Sequence, residues 1–229
     1  MTTTVKAFVI ADIVIYLFYV LAPNVRGFMV AHLVLGPGLF AGEIWQPVTS
    51  LFTHITFLGF LFSVIGLWFV GSAIEQLRGA RRFLLLTLGG GVLTNLAIAG
   101  AWHLRGYGPI PFNDGCQFAV ISLFVAFTRM YARQPVQFWP LTLTLQARYM
   151  GLIMVGLAAL VFAAQKDWHL LAGLPVAVAV GYFGAGPGGL AELRTFLANA
   201  RDGARARKLR RRFGVIDGGE RPPKKKYVN

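Results

Sequence analysis

Residues 42–62, GEIWQPVTSLFTHITFLGFLF, run almost directly into residues 66–86, GLWFVGSAIEQLRGARRFLLL. An apolar stretch over 57–75 is followed by Arg78, Arg81 and Arg82, and then by a second apolar stretch over 83–102. Each stretch has the length, about 20 residues, at which an α-helix crosses the hydrocarbon core of a bilayer. The charged turn between them belongs outside that core, so the pair reads as a helical hairpin passing through a membrane and back.

The rest of the chain agrees. Of its 229 residues 56% are hydrophobic and only 14% charged, with a mean hydropathy of +0.60, which is far from the composition of a soluble domain. Four further spans are expected at about 7–23, 115–132, 149–165 and 168–185, giving an all-α polytopic protein of six transmembrane helices. The first span ends at VLAPNVRGF without a small-x-small cleavage site, so it reads as a retained helix and not a signal peptide. A single cysteine excludes an internal disulfide. No CxxC pair and no His/Cys group with metal-ligand spacing occurs, so neither a structural metal nor any cofactor is expected.

Lys and Arg residues retained on the cytoplasmic side set the orientation. Lys6, the Arg78–Arg82 turn, Arg129, Arg133, Arg148 and all twelve basic residues of 186–229 fall on the side of the two termini; Arg26, Arg105 and Lys166 fall on the other. Both termini are therefore expected in the cytoplasm, and the abundance of Arg, Gly and Ala suits a bacterial inner membrane. A net charge of +13 could suggest nucleic acid, but the basic tail adjoins a leaflet carrying anionic lipid, and lipid is the expected partner. RARKLRRRFG at 205–214 reads either as a basic helix on the bilayer surface or as a solvated tail enforcing topology. GGERPPKKKYVN at the end has the composition of disorder.

The segment 24–56 is too apolar for an exposed loop, yet Gly36-Pro37-Gly38 and Pro47 break it. It is expected to lie in or on the outer leaflet, with Trp45 at the headgroups.

Trp45, Gln46, Thr49, Phe52 and His54, then Gly71, Glu75, Gly79, Arg82 and Phe83, resemble the rhomboid family of intramembrane serine proteases. The second set matches that family's G-x-x-x-E-x-x-x-G-x-x-[RK]-F run. FWPLTLTLQARYM at 138–150 is similar to its aromatic-proline link into the fifth helix, and DWHLLAG at 167–173 to its sixth helix. The likeness covers about 5–185. It implies a six-helix fold in which a G-x-S-G serine opening the fourth helix is activated by a histidine on the sixth. A histidine and an asparagine four residues apart on the second helix would stabilise the oxyanion.

Carried over residue by residue, this pattern departs where the chemistry lies. Gly115 matches the first glycine, Cys116 the variable residue, Gln117 the nucleophilic serine and Phe118 the second glycine. Gly59 falls at the oxyanion histidine and Ser63 at the asparagine, while His169 stands at the dyad base, followed by Leu170-Leu171-Ala172-Gly173 in place of small residues. A carboxamide is no nucleophile, and losing one oxyanion donor alone costs about 10²–10³ in turnover. Ser122 lies about 140° round the helix and about 7.5 Å deeper, out of reach. Cys116, about 100° from the serine position, reads as a small buried residue. His169 is expected to be vestigial and hydrogen-bonded to Gln117 across the two helices.

Asp12, inside the first span, is a functional candidate as any intramembrane carboxylate is, and is read as snorkelling to the cytoplasmic end beside Lys6. Glu75 with Arg78, Arg81 and Arg82 is expected to tie the inner turn together, and His54 to serve structurally. His32 and His103 read as interfacial residues without carboxylate partners at helical spacing. The glycine patch LGGGVLTN at 88–95 should allow close helix packing. The expectation is a rhomboid-like protein lacking proteolytic machinery, a binder of transmembrane client segments. Its alternatives are an active endopeptidase with a relocated nucleophile and a small transporter or channel, the latter without the inverted repeats of many transporters.

Overall fold

A computed structural model describes residues 1–105, 112–138, 143–186, 188 and 190–213. The first span is helix α1 (Thr3–Leu21), and its ends are satisfied by residues elsewhere in the chain. The Glu75 carboxylate accepts from the Thr2 hydroxyl and from the N–H groups of Thr4 (3.2 Å) and Val5 (2.9 Å). At the other end the Arg26 guanidinium donates to the carbonyls of Tyr19 and Val20. Helix ends expose orphan N–H and C=O groups that are costly in lipid, and a carboxylate at one end and a guanidinium at the other also suit the helix dipole. Glu75 thus acts by capping α1, a more specific role than the general tie expected of it.

The segment expected as an interfacial element contains α2 (Pro23–His32), a 3₁₀ turn (Pro37–Ala41) and the single turn α3 (Gln46–Thr49). Its shape comes from polar contacts centred on Gln46, whose side chain is buried. The Gln46 side chain accepts from Gly36 N–H (2.9 Å) and donates to Ala31 C=O (3.2 Å) and to Glu43, while Trp45 Nε1 donates to His32 C=O (2.9 Å). His32 does have a carboxylate partner, Glu43, eleven residues on and across the 3₁₀ turn. Helical spacing was the wrong test because the chain turns back on itself here.

Thr56 caps α4 (Phe57–Gly66) through its hydroxyl, and the helix passes through a π turn (Leu67–Gly71) into α5 (Ser72–Arg105). Gly79, at φ 79° and ψ 165°, breaks α5 in a conformation that disfavours residues with a Cβ, and so separates the two apolar stretches of the hairpin. Next come α6 (Gln117–Met130) and a two-stranded antiparallel ribbon, β1 (Pro135–Phe138) with β2 (Leu143–Gln146), paired Pro135 to Gln146 and Phe138 to Leu143. The chain is nearly all helical, as expected, with this short ribbon as its other regular element among the described residues; residues 139–142 of the aromatic-proline link lie outside the described residues. Helices α7 (Ala147–Ala164) and α8 (Trp168–Ala185) complete the first unit, which ends at Gly189.

Among the described residues four helical stretches are long and apolar enough to cross a membrane: Thr3–Leu21, the 48-residue Phe57–Leu104, Ala147–Ala164 and Trp168–Ala185. Helix α6 is apolar but has only 14 residues. At 1.5 Å per residue it is about 21 Å long, shorter than the roughly 30 Å hydrocarbon core.

Helix α6 is nonetheless central, with Phe118, Ala119, Leu123 and Ala126 almost wholly buried against α5, α7 and α8. Lipid tails are as apolar as leucine, so such packing relies on close contact and interhelical hydrogen bonds more than on exclusion of water. A Cβ on Gly90 would come 2.3 Å from Ser122 Oγ, and one on Gly181 would come 2.4 Å from the Ser122 carbonyl oxygen. The glycine patch at 88–95 therefore does seat α5 on α6. Ser122 donates to Ala177 C=O (2.8 Å) across the α6–α8 contact, so its hydroxyl is committed to packing.

The second unit, Leu190–Asn229, contains α9 (Leu190–Phe213), a 24-residue helix that includes residues 205–213 of the basic stretch at 205–214; residue 214 lies outside the described residues. The terminal segment with the composition of disorder lies outside the described residues.

Candidate functional site

The start of α6 is built by a turn that needs a glycine. Gly115 has φ 77°, and a side chain there would also meet the His54 ring at 2.9 Å. Its N–H donates to the carbonyls of Ser50 (2.8 Å) and Thr53 (2.7 Å), which fixes the turn beneath the segment leading to α4. Asp114 fastens the same junction by accepting from Ile55 N–H (2.7 Å). Burial raises the Asp114 carboxyl above the usual carboxylate range, partly offset by that bond.

Gln117, the first residue of α6, is half-buried and ends a chain of amide contacts. Its Nε2 donates to Asn113 Oδ1 (3.1 Å), Asn113 Nδ2 donates to Asn95 Oδ1 (2.9 Å), and Asn95 Nδ2 donates to Ser50 Oγ (2.9 Å) and Pro47 C=O (3.1 Å). The Asn113 backbone also pairs with Leu35 in both directions. One network thereby joins α3, α5 and α6 to the strip after α2. Buried amides that satisfy one another hold their elements in one arrangement, since an unpaired member is costly.

The bond expected between Gln117 and His169 is not formed. His169 is half-buried and meets Trp102 edge-on, with ring centroids 5.7 Å apart. The buried face of α8 is carried by Leu170, Gly173, Leu174, Ala177 and Gly181, at helical spacing, and His169 is one residue, about 100°, off that face. The two oxyanion positions also diverge. Gly59 is exposed in the first turn of α4, donating its N–H to Thr56 Oγ1, while Ser63 is buried beside the Cys116 thiol.

A different trio converges. Asp12 in α1, His54 before α4 and Cys116 at the start of α6 place donor atoms no more than 4.8 Å from one another, with residue exposures of 0%, 2% and 1%. Both Asp12 oxygens and both His54 nitrogens lack hydrogen-bond partners. The snorkelling expected of Asp12 is therefore corrected: its carboxyl points into the protein, while Lys6 is exposed. Burial lowers the His54 imidazole to about 4, and the nearby Phe52 carbonyl opposes the shift. Separations of 42 and 62 residues left no spacing to detect. The only available signal was an aspartate in the middle of a span.

The remaining motif residues are structural in their contacts. Trp45 and Gln46 shape the segment before α4, Arg82 donates to Gly186 C=O, and His103 stacks on Phe40.

Residues 41–186 match the family model described as the Rhomboid domain. Over 92 residues the chain is 29% identical to rhomboid protease GluP of Bacillus subtilis (strain 168), covering 40% of this chain and 18% of that protein. Over 59 residues it is 32% identical to YdcA of the same organism, a protein named for the same family, covering 26% of this chain and 30% of that one. The chain thus spans less than a third of the length of either relative it matches.

Proposed function

Because this chain belongs to the rhomboid domain family, we propose that it is a non-proteolytic member which binds transmembrane segments of client proteins. One observation supports the proposal: Gln117, which the resemblance sets at the family's nucleophile position, has its carboxamide tied to Asn113 in a structural network. Other features support it. The nearest hydroxyl along α6, Ser122, is bonded to Ala177, and His169 is turned to Trp102. Among the described residues no serine or threonine hydroxyl is hydrogen-bonded to a histidine ring. A relocated nucleophile would have to be Cys116, which is sealed from solvent and lipid. Hydrolysis also needs water and a peptide carbonyl at the sulfur.

Binding needs only the scaffold. An apolar recess of about 350 Å³, lined among others by Val14, Phe18, Phe28, Met29 and Phe52, lies between α1, α2 and α3, and it suits an aliphatic or aromatic side chain of a client helix. The proposed setting is a bacterial inner membrane with both termini cytoplasmic, testable with reporters fused after residue 229. The decisive assay reconstitutes the full chain in liposomes with a photocrosslinkable, helix-destabilised transmembrane substrate. The expected result is crosslinking without cleavage, equal in wild type and His169→Ala. Cleavage by the wild type that is lost in His169→Ala overturns the proposal.

A further inference from the structure

We propose that Asp12, His54 and Cys116 form a site for one borderline-soft divalent cation, with zinc the best match. The inference stands apart from the question of proteolysis. It begins from an imbalance: a carboxyl, an imidazole and a thiol meet in the interior of the helical unit, and four of their polar atoms have no partner. Buried polar groups in native proteins are almost always paired, and a buried carboxylate without a partner is among the most costly arrangements known. The trio does not solve this internally, since Asp12 and His54 make no hydrogen bond to each other.

The depth of the site sharpens the problem. Asp12 is midway along α1, with nine helical residues on either side. Cys116 is the N-cap residue of the short helix α6. A cation resolves both charge and bonding. Ionised Asp12 and Cys116 together carry two negative charges, so a divalent ion and a neutral imidazole make an electrically neutral cluster. One ion also gives a partner to both Asp12 and His54 at once.

The donor set selects the ion. Thiolate sulfur, imidazole nitrogen and carboxylate oxygen are the three ligand types of zinc sites, whereas calcium and magnesium require shells of oxygen. Ligand distances of about 2.0–2.3 Å put donors on one tetrahedral zinc about 3.5 Å apart. The widest pair here is within 4.8 Å, so side-chain rotations closing about 1 Å complete the site. Three protein ligands leave a fourth position, and the Ser63 hydroxyl beside Cys116 is the adjacent polar group. The ion would pin α1 to the start of α4 and α6, a cross-link between the first span and the central helix.

The test uses the full chain, purified in detergent with an affinity tag that contains no histidine. Elemental analysis should find about one zinc per chain, falling at least tenfold in Cys116→Ser and in His54→Gln. Because either variant could misfold, a second measurement uses the wild type alone. After chelator treatment, titration with cobalt(II) should give a thiolate-to-cobalt charge-transfer band and tetrahedral d–d bands saturating at one equivalent. The proposal is overturned if the stripped wild type shows no such band, or if Cys116→Ser retains as much zinc as the wild type, the mark of an adventitious ion only. It is overturned too if Cys116 labels with a membrane-permeant maleimide at the same rate with and without zinc.

Discussion

Replacing Asn95 by alanine tests whether the amide network holds α3, α5 and the start of α6 together. Asn95 is 1% exposed on α5; it donates to Pro47 and Ser50 at α3 and accepts from Asn113 ahead of α6. In a soluble protein the truncation would orphan the Pro47 carbonyl and one Asn113 N–H, each at about 1–3 kcal/mol, suggesting a loss of about 2–6 kcal/mol. In a bilayer the unfolded reference also finds partners, and interhelical hydrogen bonds average about 0.6 kcal/mol with a maximum near 1.7. Three bonds on that scale give about 2 kcal/mol, and the membrane figure is the relevant one because the helices remain inserted when the tertiary fold is lost. The assay is titration with a denaturing detergent in mixed micelles, followed by circular dichroism, for wild type, Asn95→Ala, Asn113→Ala and the double variant. Since the two asparagines share one bond, the double variant should cost less than the sum of the singles by about 0.6 kcal/mol. A loss under 0.5 kcal/mol for Asn95→Ala, or strict additivity, would refute the network as a fastening.

Three further outcomes follow from single contacts. Gly181→Val should cost at least 1–3 kcal/mol, roughly the usual penalty of overpacking, because its Cβ would fall 2.4 Å from backbone at Ser122 that cannot rotate away; near-wild-type stability in the same titration contradicts the α6–α8 seating. Glu75→Ala removes the acceptor for Thr4 and Val5 and should cost about 1 kcal/mol, the scale of a lost helix cap, with faster amide exchange at those two residues; unchanged exchange there would count against the cap. Gln117→Ser introduces a hydroxyl where the resemblance expects one but supplies no base, since His169 faces Trp102, so fluorophosphonate labelling should stay at background. Labelling of Gln117→Ser that disappears in Gln117→Ser/His169→Ala would place the two side chains in reach of each other and contradict the orientation described for α8.

Much of the fold was legible because the bilayer imposes a simple requirement. A helix must be apolar over its crossing length and charged residues must leave the core, so span positions and the Glu75–Arg82 turn show directly in a linear chain. The family likeness was legible for a similar reason. Gly79, Glu75 and Arg82 serve local geometry at fixed spacing, and they occupy the break, the helix cap and the tie to Gly186. The candidate site was legible only in part. The resemblance led to the expectation of Gln117 at the nucleophile position, but the choice of its partner depended on a rotation: His169 and Leu170 are adjacent in the chain and differ by about 100° about α8, and packing against α5 and α6 selected Leu170 for the buried face.

By itself, then, the sequence determined that this protein crosses a membrane as a bundle of helices and that it belongs with the rhomboids, and it raised the expectation that Gln117 stands where the family's serine would be. Those properties depend on composition and on spacing within single elements. Only the tertiary structure decided that Gln117 bonds to Asn113, that Asp12 turns inward, and that Asp12, His54 and Cys116 meet. These depend on how α1, α4, α6 and α8 are rotated and seated, and that is set by side-chain volume at glycine contacts such as Gly181 and Ser122, between residues far apart in the chain.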